Sequence, residues 1–145
     1  MKIIVQRSKY SSVIVNDSLV NEINSGLVLL VSFTSSDTES DLDYLVNKVI
    51  NLRIFDDENG IMNKSILDVG GEILSISQFT LYADTTKGHR PSYINALKGE
   101  EAIKLYELFN EKLNKHIVTK PGIFGEEMIL NITNDGPVTI MLESK

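Results

Sequence analysis

The sequence predicts an α/β fold, with layered β-sheets and two helices packed on one side. Three observations support this: strand-like segments fill the first 33 residues, two later segments repeat apolar residues at helical spacing, and the predicted order is β-β-β-β-α-β-α-β-β. That order suits a mixed sheet or two stacked sheets. No linker or repeat interrupts the 145 residues, 42% of which are hydrophobic, so we expect a single domain over residues 1–145.

Four strands are predicted near the N-terminus from alternation and β-branched content. Asn16-Asp17 predicts the turn between the second and third of them. The segment Leu27–Val31 is continuously apolar, which is typical of a central strand covered on both faces. The predicted strands are Ile3–Gln6, Ser12–Val15, Leu19–Ile23 and Leu27–Phe33.

Two helices are predicted, from Thr38 to Leu52 and from about Glu100 to Asn114. Thr38 and Asp41 offer the first helix a capping oxygen and an early negative charge. One face of each helix should pack on the sheet, because each carries an apolar stripe. The stripes are Leu42, Leu45, Val46 and Val49 in the first, and Ala102, Leu105, Tyr106, Phe109 and Leu113 in the second.

The rest of the chain predicts three further strands and two turns. Residues 56–60 are polar and predict a surface turn, and Gly70-Gly71 predicts a sharp one. The strands are expected at Ile73–Tyr82, Met128–Ile132 and Val138–Leu142.

Composition and motifs exclude several classes of function. The chain has no cysteine, its two histidines lack metal-ligand spacing, and the acidic run at residues 56–58 lacks calcium-loop spacing. Phosphate-binding and dinucleotide-binding glycine motifs are absent, so we expect no metal and no cofactor. The N-terminus lacks the apolar core of a signal peptide, so we expect a cytoplasmic protein. A net charge of −6 argues against non-specific nucleic-acid binding but permits a local basic patch.

Three segments are candidates for chemistry. The strand around Ser75–Tyr82 is either an edge strand whose hydroxyls bond to backbone, or a site wall in which Ser77 or Thr80 is a nucleophile. The basic loop Lys87–Tyr93 is either solvated or a clamp for an anion. Gly136-Pro137 taken alone predicts a turn, since proline is tolerated at the first residue of a strand.

These segments together resemble the D-aminoacyl-tRNA deacylases of the D-Tyr-tRNA deacylase type. The likeness runs the whole length, in order and at similar spacing. It rests on SQFTLYAD (Ser77–Asp84), KGHRPSY (Lys87–Tyr93) and NDGPVT (Asn134–Thr139), with VQR (Val5–Arg7) and the LRIF, DDENG and DVGGE segments between Leu52 and Glu72.

The resemblance implies a D-Tyr-tRNA deacylase-like fold and a homodimer in which a cis Gly136-Pro137 dipeptide of each subunit reaches into the partner's active site. Main-chain carbonyls there would hold the substrate's α-amino group and exclude L-aminoacyl esters. D-aminoacyl esters, and glycine mischarged on tRNA-Ala, would fit. The substrate would be the acceptor end of aminoacyl-tRNA, with its terminal adenosine.

The resemblance also implies the roles of individual residues. Ser77, Gln78, Phe79 and Thr80 would form the catalytic wall, with backbone N–H groups stabilising an oxyanion while the substrate's 2′-hydroxyl assists. Other residues would bind substrate or tRNA: Arg7 beside the Gly-Pro loop, the pocket methionine Met128, and the basic side chains Lys87, Arg90 and Lys98.

Two departures from the family pattern, His89 and Phe124-Gly125, affect the shape expected for the tRNA-facing loop. Two other functions stay open at this point. One is a non-catalytic dimer that binds a small ligand or RNA on the same scaffold. The other is an esterase that uses Thr80 as a covalent nucleophile.

Overall fold

The computed structural model describes residues 1–145 and is a mixed α/β fold, as the sequence predicts. A curled six-stranded sheet and a two-stranded hairpin are accompanied by three helices. The strands are β1 (Lys2–Val15), β2 (Ser18–Ile23), β3 (Gly26–Ser32), β4 (Phe55–Asp56), β5 (Met62–Lys64), β6 (Glu72–Ser77), β7 (Thr119–Pro121) and β8 (Ile129–Glu143). The helices are α1 (Glu39–Asn51), α2 (Ile66–Val69) and α3 (Gly99–Asn114). None of them is long and apolar enough to cross a membrane.

The strand β1 organises the sheet by pairing with three others. Its first half pairs antiparallel with β3, from Lys2↔Ser32 to Ser8↔Gly26, and its second half pairs with β2. Along its other edge it pairs with β8 over almost its whole length. The strands β3, β6 and β7 follow in order and run parallel, so their carboxyl ends meet at one edge of the sheet.

The curl of the sheet separates two hydrophobic cores. The larger lies between the sheet and the two long helices, where Leu27, Leu29 and Val31 of β3 face Leu45 of α1 and Phe109 of α3. The smaller lies on the opposite face and contains Val13, Ile23, Val28, Leu74 and Ile76. Side chains alternate between the faces of a strand, so β3 supplies both cores, and all of its residues except the partly exposed Leu30 are buried.

The long helices lie where the sequence predicts them. Thr38 precedes α1 in an extended conformation, and its N–H and its Oγ1 both donate to Asp41 Oδ2, at 2.8 and 2.9 Å. Burial acts to raise the pKa of Asp41, but the hydrogen bonds from Thr38 act the other way and the net result is a lowered pKa. The ionised form of Asp41 therefore stabilises the start of the helix.

Several predicted strands are wrong in their limits. The two strands expected at Ile3–Gln6 and Ser12–Val15 are one strand, and so are those at Met128–Ile132 and Val138–Leu142. The strand expected at Ile73–Tyr82 ends at Ser77 and is followed by a 3-10 turn over Phe79–Tyr82. The edge-strand interpretation of this segment is also wrong, because β6 lies between β3 and β7.

Replacing Asp41→Asn should destabilise the protein at neutral pH by about 1 kcal/mol, because the amide accepts the Thr38 hydrogen bonds less strongly than a carboxylate does. The pKa of Asp41 is lower in the folded state, so its contribution is fully present above the unfolded pKa of about 3.9, decreases below it, and is lost as pH falls through the lower folded pKa. Denaturant unfolding from pH 7 to pH 3 measures this. Asp17→Asn, in an exposed turn, is the control. The assignment is contradicted if the difference in unfolding free energy between Asp41→Asn and the parent widens toward pH 3.

Candidate active site

The clearest cavity lies at the carboxyl ends of β3 and β6. Its volume is about 260 Å³, and nine of its 14 lining residues are hydrophobic. Carboxyl ends of parallel strands are a common place for ligand sites in α/β proteins. The lining residues are Val31, Ser32, Phe33, Ile76, Ser77, Gln78, Phe79, Leu97, Ala102, Phe124, Gly125, Glu126, Met128 and Leu130.

Two backbone N–H groups are left free where β6 ends. The Gln78 N–H donates to the Val31 carbonyl at 2.7 Å and is the last bond that continues the β3–β6 ladder. The Leu81 N–H donates to the Gln78 carbonyl, which leaves the N–H groups of Phe79 and Thr80 without an acceptor inside the 3-10 turn. The resemblance implies oxyanion donors among the backbone N–H groups of this segment, and that of Gln78 is already engaged.

The Thr80 hydroxyl has no base beside it. Gln78 Nε2 donates to Thr80 Oγ1 at 2.5 Å, so the oxygen accepts a hydrogen bond from an amide that cannot remove its proton. Glu126 is the only ionisable side chain that lines the cavity, and it makes no hydrogen bond to Ser77 or Thr80. The cavity thus lacks the paired nucleophile and base of a covalent esterase.

Aromatic and basic side chains lie at the mouth of the cavity. The Phe79 ring is 48% exposed, meets Tyr93 edge-on at a centroid distance of 5.1 Å, and has Lys98 Nζ 5.8 Å from its centroid. The loop that carries Lys87 and Arg90 is held at its base by paired backbone hydrogen bonds between Asp84 and Ser92. The base of the basic loop is therefore two residues beyond the end of the 3-10 turn.

Met128 lines the same cavity. It packs close to Gly122, where an added Cβ would lie 2.7 Å from Met128 Sδ and 3.0 Å from Ile76 Cδ1. The glycine therefore gives the methionine room against the sheet. The structure brings Ser77, Gln78, Phe79 and Met128 around one cavity, with Thr80 in the adjoining turn.

Gly136 and Pro137 form an exposed bulge in β8. Gln6 is opposite Thr139 and Ser8 is opposite Asn134, so two steps along β1 correspond to five along β8 and three extra residues loop outward. The Gly136–Pro137 bond is cis, and Gly136 has φ +117°. A Cβ on Gly136 would lie 2.7 Å from Val138 Cγ2 and 2.8 Å from the Val138 nitrogen, so only glycine fits there.

Arg7 supports this bulge from beneath and is only 8% exposed. Its Nε donates to the Asp135 carbonyl at 3.3 Å and lies 3.2 Å from the Asp135 carboxylate. Its Nη1 donates to the Ile54 carbonyl at 2.8 Å and pairs with Asp56 at 3.3 Å. The guanidinium thus ties the bulge to the segment that leads into β4, through the carbonyl just before Gly136.

Within one chain the bulge and the cavity lie far apart. Ser77 is aligned across the sheet with Val31 and Ile3, and Arg7 is four residues further along β1. At about 3.3 Å per residue that separation is roughly 13 Å along the strand direction. Neither Arg7 nor Gly136 nor Pro137 lines the cavity. The predicted site residues therefore form two clusters in one chain, not one.

Sequence reasoning misses the other walls of the cavity. Ser32 is the last residue of β3 and Phe33 follows it, and Leu97 and Phe124 come from segments distant in sequence. The sequence feature that points to them is the continuously apolar segment Leu27–Val31, which predicts a central strand. Once it is known to run parallel to β6, the residues after it belong at the same edge.

The fold and cavity define an α/β protein with a mainly apolar cavity bounded by a polar turn. A family model described as D-Tyr-tRNA(Tyr) deacylase matches residues 4–143. A protein named D-aminoacyl-tRNA deacylase from Bacillus cytotoxicus is 53% identical, and one of the same name from Clostridium tetani is 52% identical. Each alignment covers all of this chain, with 100% and 98% of the relative. The chain belongs to the D-Tyr-tRNA deacylase family, a family of hydrolases.

Solved structures show the same fold. One described as c-Myc DNA Unwinding Element Binding Protein has a TM-score of 0.95 at 41% identity, with 100% of this chain and 99% of that chain covered. Another, described as a probable eukaryotic D-amino acid tRNA deacylase, has a TM-score of 0.85 and covers 98% of both chains. At 17% identity this second likeness concerns the fold alone.

Replacing Gly136→Ala should distort the bulge, because the new methyl group meets the Val138 backbone and side chain at a φ of +117°. We expect a loss of stability of about 1–3 kcal/mol, measured by denaturant unfolding. Gly60→Ala is the matched control: its φ is +74°, but nothing lies within 4 Å of an added Cβ. Equal losses of stability in the two variants would show that contact with Val138 adds nothing to the cost of placing alanine at a positive φ.

Proposed function

We propose that this protein hydrolyses the ester bond of D-aminoacyl-tRNA and releases the D-amino acid and free tRNA. The observation that carries the proposal is the separation of the two site clusters. A polar turn beside an apolar cavity lies at the carboxyl ends of β3 and β6, and an exposed glycine-proline bulge lies roughly 13 Å away along the strand direction, beside the middle of β1. Two copies of the chain can complete both sites if each inserts its bulge beside the other's cavity. An aminoacyl-tRNA substrate is consistent with a cytoplasmic location.

A homodimer is supported by the surface of β8. This strand is at the edge of the sheet, and Ile129 and Met141 on it are 60% and 61% exposed. An edge strand with exposed apolar side chains is a feature that proteins usually cover. We propose that a second copy covers it and that Gly136 and Pro137 enter the partner's site.

Selection between mirror-image substrates follows from the backbone of the bulge. Gly136 and Pro137 are both exposed, and they present main-chain atoms where a reactive side chain is absent. Carbonyl oxygens there would accept hydrogen bonds from the α-amino group of the substrate. An L-side chain would then point into the bulge, while a D-side chain or the hydrogen of glycine would point away. On this basis glycyl-tRNA-Ala is a second substrate.

Catalysis would rest on the backbone and on the substrate itself. The free N–H groups of Phe79 and Thr80 are suited to an oxyanion, and one such donor contributes about 3–4 kcal/mol in comparable enzymes. No side-chain base accompanies Ser77 or Thr80. We therefore assign activation to the neighbouring 2′-hydroxyl of the terminal adenosine, which is held close to the ester.

The terminal adenosine would occupy the apolar cavity, and the basic residues at its mouth would meet phosphates. Lys87 and Arg90 are on the loop beside the site, and Lys98 lies over Phe79. The net charge of −6 leaves few phosphate contacts, so we expect weak and salt-sensitive binding of tRNA.

The decisive experiment compares deacylation of D-Tyr-tRNA and L-Tyr-tRNA in the presence of a chelator. We expect rapid hydrolysis of the D-ester and little hydrolysis of the L-ester, with no effect of the chelator. Equal rates for the two esters, or loss of activity on chelation, would overturn the proposal. D-Tyr-tRNA with a 2′-deoxy terminal adenosine tests whether the 2′-hydroxyl assists hydrolysis. We expect it to react at least about 100-fold more slowly than unmodified D-Tyr-tRNA.

Replacing Thr80→Ala separates backbone catalysis from a covalent mechanism. The variant keeps its N–H and loses only the hydroxyl that Gln78 contacts. We expect activity to fall by no more than about tenfold, the scale of one lost hydrogen bond. Abolished activity in a folded variant would favour Thr80 as a covalent nucleophile.

A non-catalytic nucleic-acid-binding dimer is the second candidate, because one structural neighbour is described as a DNA-element-binding protein. The acidic charge of this chain argues against such binding. Binding of an aminoacyl-adenosine analogue without turnover of D-Tyr-tRNA would favour this second function.

A further inference from the structure

Asn134 lies at the base of the bulge and closes it with its side chain. Its Nδ2 donates to the Arg7 carbonyl at 3.0 Å and to the Val138 carbonyl at 2.9 Å. The first carbonyl belongs to β1, and the second belongs to β8 on the far side of the bulge. One amide group therefore joins both ends of the three-residue loop 135–137 to the neighbouring strand.

The other end of the same side chain is also fully engaged. Gln6 Nε2 donates to Asn134 Oδ1 at 3.1 Å, and Thr139 Oγ1 donates to it at 3.0 Å. A primary amide has two donor hydrogens and two acceptor lone pairs, so Asn134 uses its whole hydrogen-bonding capacity. Those bonds fix both its position and its orientation, since a flipped amide would place its oxygen against the Arg7 and Val138 carbonyls and its NH₂ against Gln6 Nε2.

The bulge has few other restraints. Gly136 and Pro137 are exposed, and proline has no N–H to donate. Arg7 holds the near side of the loop through the Asp135 carbonyl and carboxylate, and its Nη2 lies 3.1 Å from the place of a Cβ on Gly136. The side of the loop after Pro137 is held by Asn134 through the Val138 carbonyl. Asn134 therefore fixes the far side of the bulge, as Arg7 fixes the near side.

We propose that Asn134, oriented by Gln6 and Thr139, is a positioning residue that sets the direction of the Gly136–Pro137 bulge and so governs discrimination between D- and L-aminoacyl esters. This inference rests on the proposed function. It assigns Asn134 no contact with substrate and no proton transfer. Its effect is on how well a preformed backbone surface matches one enantiomer.

A positioning role differs measurably from a purely structural one. A variant that merely lowers the amount of folded dimer lowers the apparent kcat, but it leaves KM and the ratio of D- to L-ester hydrolysis unchanged. A variant whose bulge points in the wrong direction changes the ratio itself, because L-esters are no longer excluded while D-esters are held less well. The rate ratio and KM are therefore the deciding measurements.

The main variant is Asn134→Asp, which keeps both acceptors and replaces the two donors with an oxygen facing two carbonyls. We expect kcat/KM for D-Tyr-tRNA to fall roughly 10- to 100-fold, as for two lost hydrogen bonds, with a higher KM and a lower D-to-L ratio. The control is Asn51→Asp on α1, which makes the same chemical change and loses a 2.9 Å bond from Nδ2 to the Asn47 carbonyl. We expect Asn51→Asp to match the parent in kcat/KM, KM and the D-to-L ratio.

A second pair of variants keeps the proposal testable if Asn134→Asp does not fold. Thr139→Val removes the hydroxyl that donates to Asn134 Oδ1, and Thr139→Ser retains it. We expect the valine variant to lower the D-to-L ratio severalfold and the serine variant to restore it. A parental ratio and KM in folded Asn134→Asp, or equal ratios in the two Thr139 variants, would overturn the inference. Loss of discrimination in the parent protein itself would instead refute the proposed function.

Discussion

The division of hydrogen bonds along β1 is the constraint on which this structure depends. Its first half pairs with β3 and its second half with β2, while β8 follows the other edge of both. The register between β1 and β8 is irregular between Gln6 and Ser11, where the change of partner occurs. The bulge in β8 lies there, so the curl of the sheet and the Gly136–Pro137 projection arise at the same place.

The chemistry suggested by the site follows from what surrounds it. The cavity is mainly apolar, and its polar groups near the reacting position are backbone N–H groups and amide or hydroxyl side chains. Tyr106, behind the cavity, donates to the Ser75 carbonyl at 2.7 Å, and burial raises its pKa, so it remains a neutral donor. Such a site is suited to positioning and to stabilising charge, and the acid-base work falls to the substrate.

Local patterns predict the helices well and the strand limits poorly. α1 and α3 depend on apolar spacing and on Thr38 and Asp41, which act within one or two turns of the chain. Phe79–Tyr82 has residues typical of strands, and yet it forms a 3-10 turn, because the β3 strand that would pair with it ends at Ser32. Likewise Asn134 looks like an ordinary turn residue in the sequence. Two of its four hydrogen-bond partners, Gln6 and Arg7, are more than 120 positions away, so no local pattern reveals its role.

The sequence by itself determined the two long helices, the central apolar strand, the turn at Asn16-Asp17 and the segments that identify the family. Each of these depends on neighbours in the chain or on residue identity alone. Only the tertiary structure decided that Ser77, Phe79 and Met128 share a cavity while Arg7 and Gly136 lie roughly 13 Å away along the strand direction, near the middle of β1. The reason is physical: such distances depend on strand pairing and register between segments remote in sequence, and no local pattern encodes them.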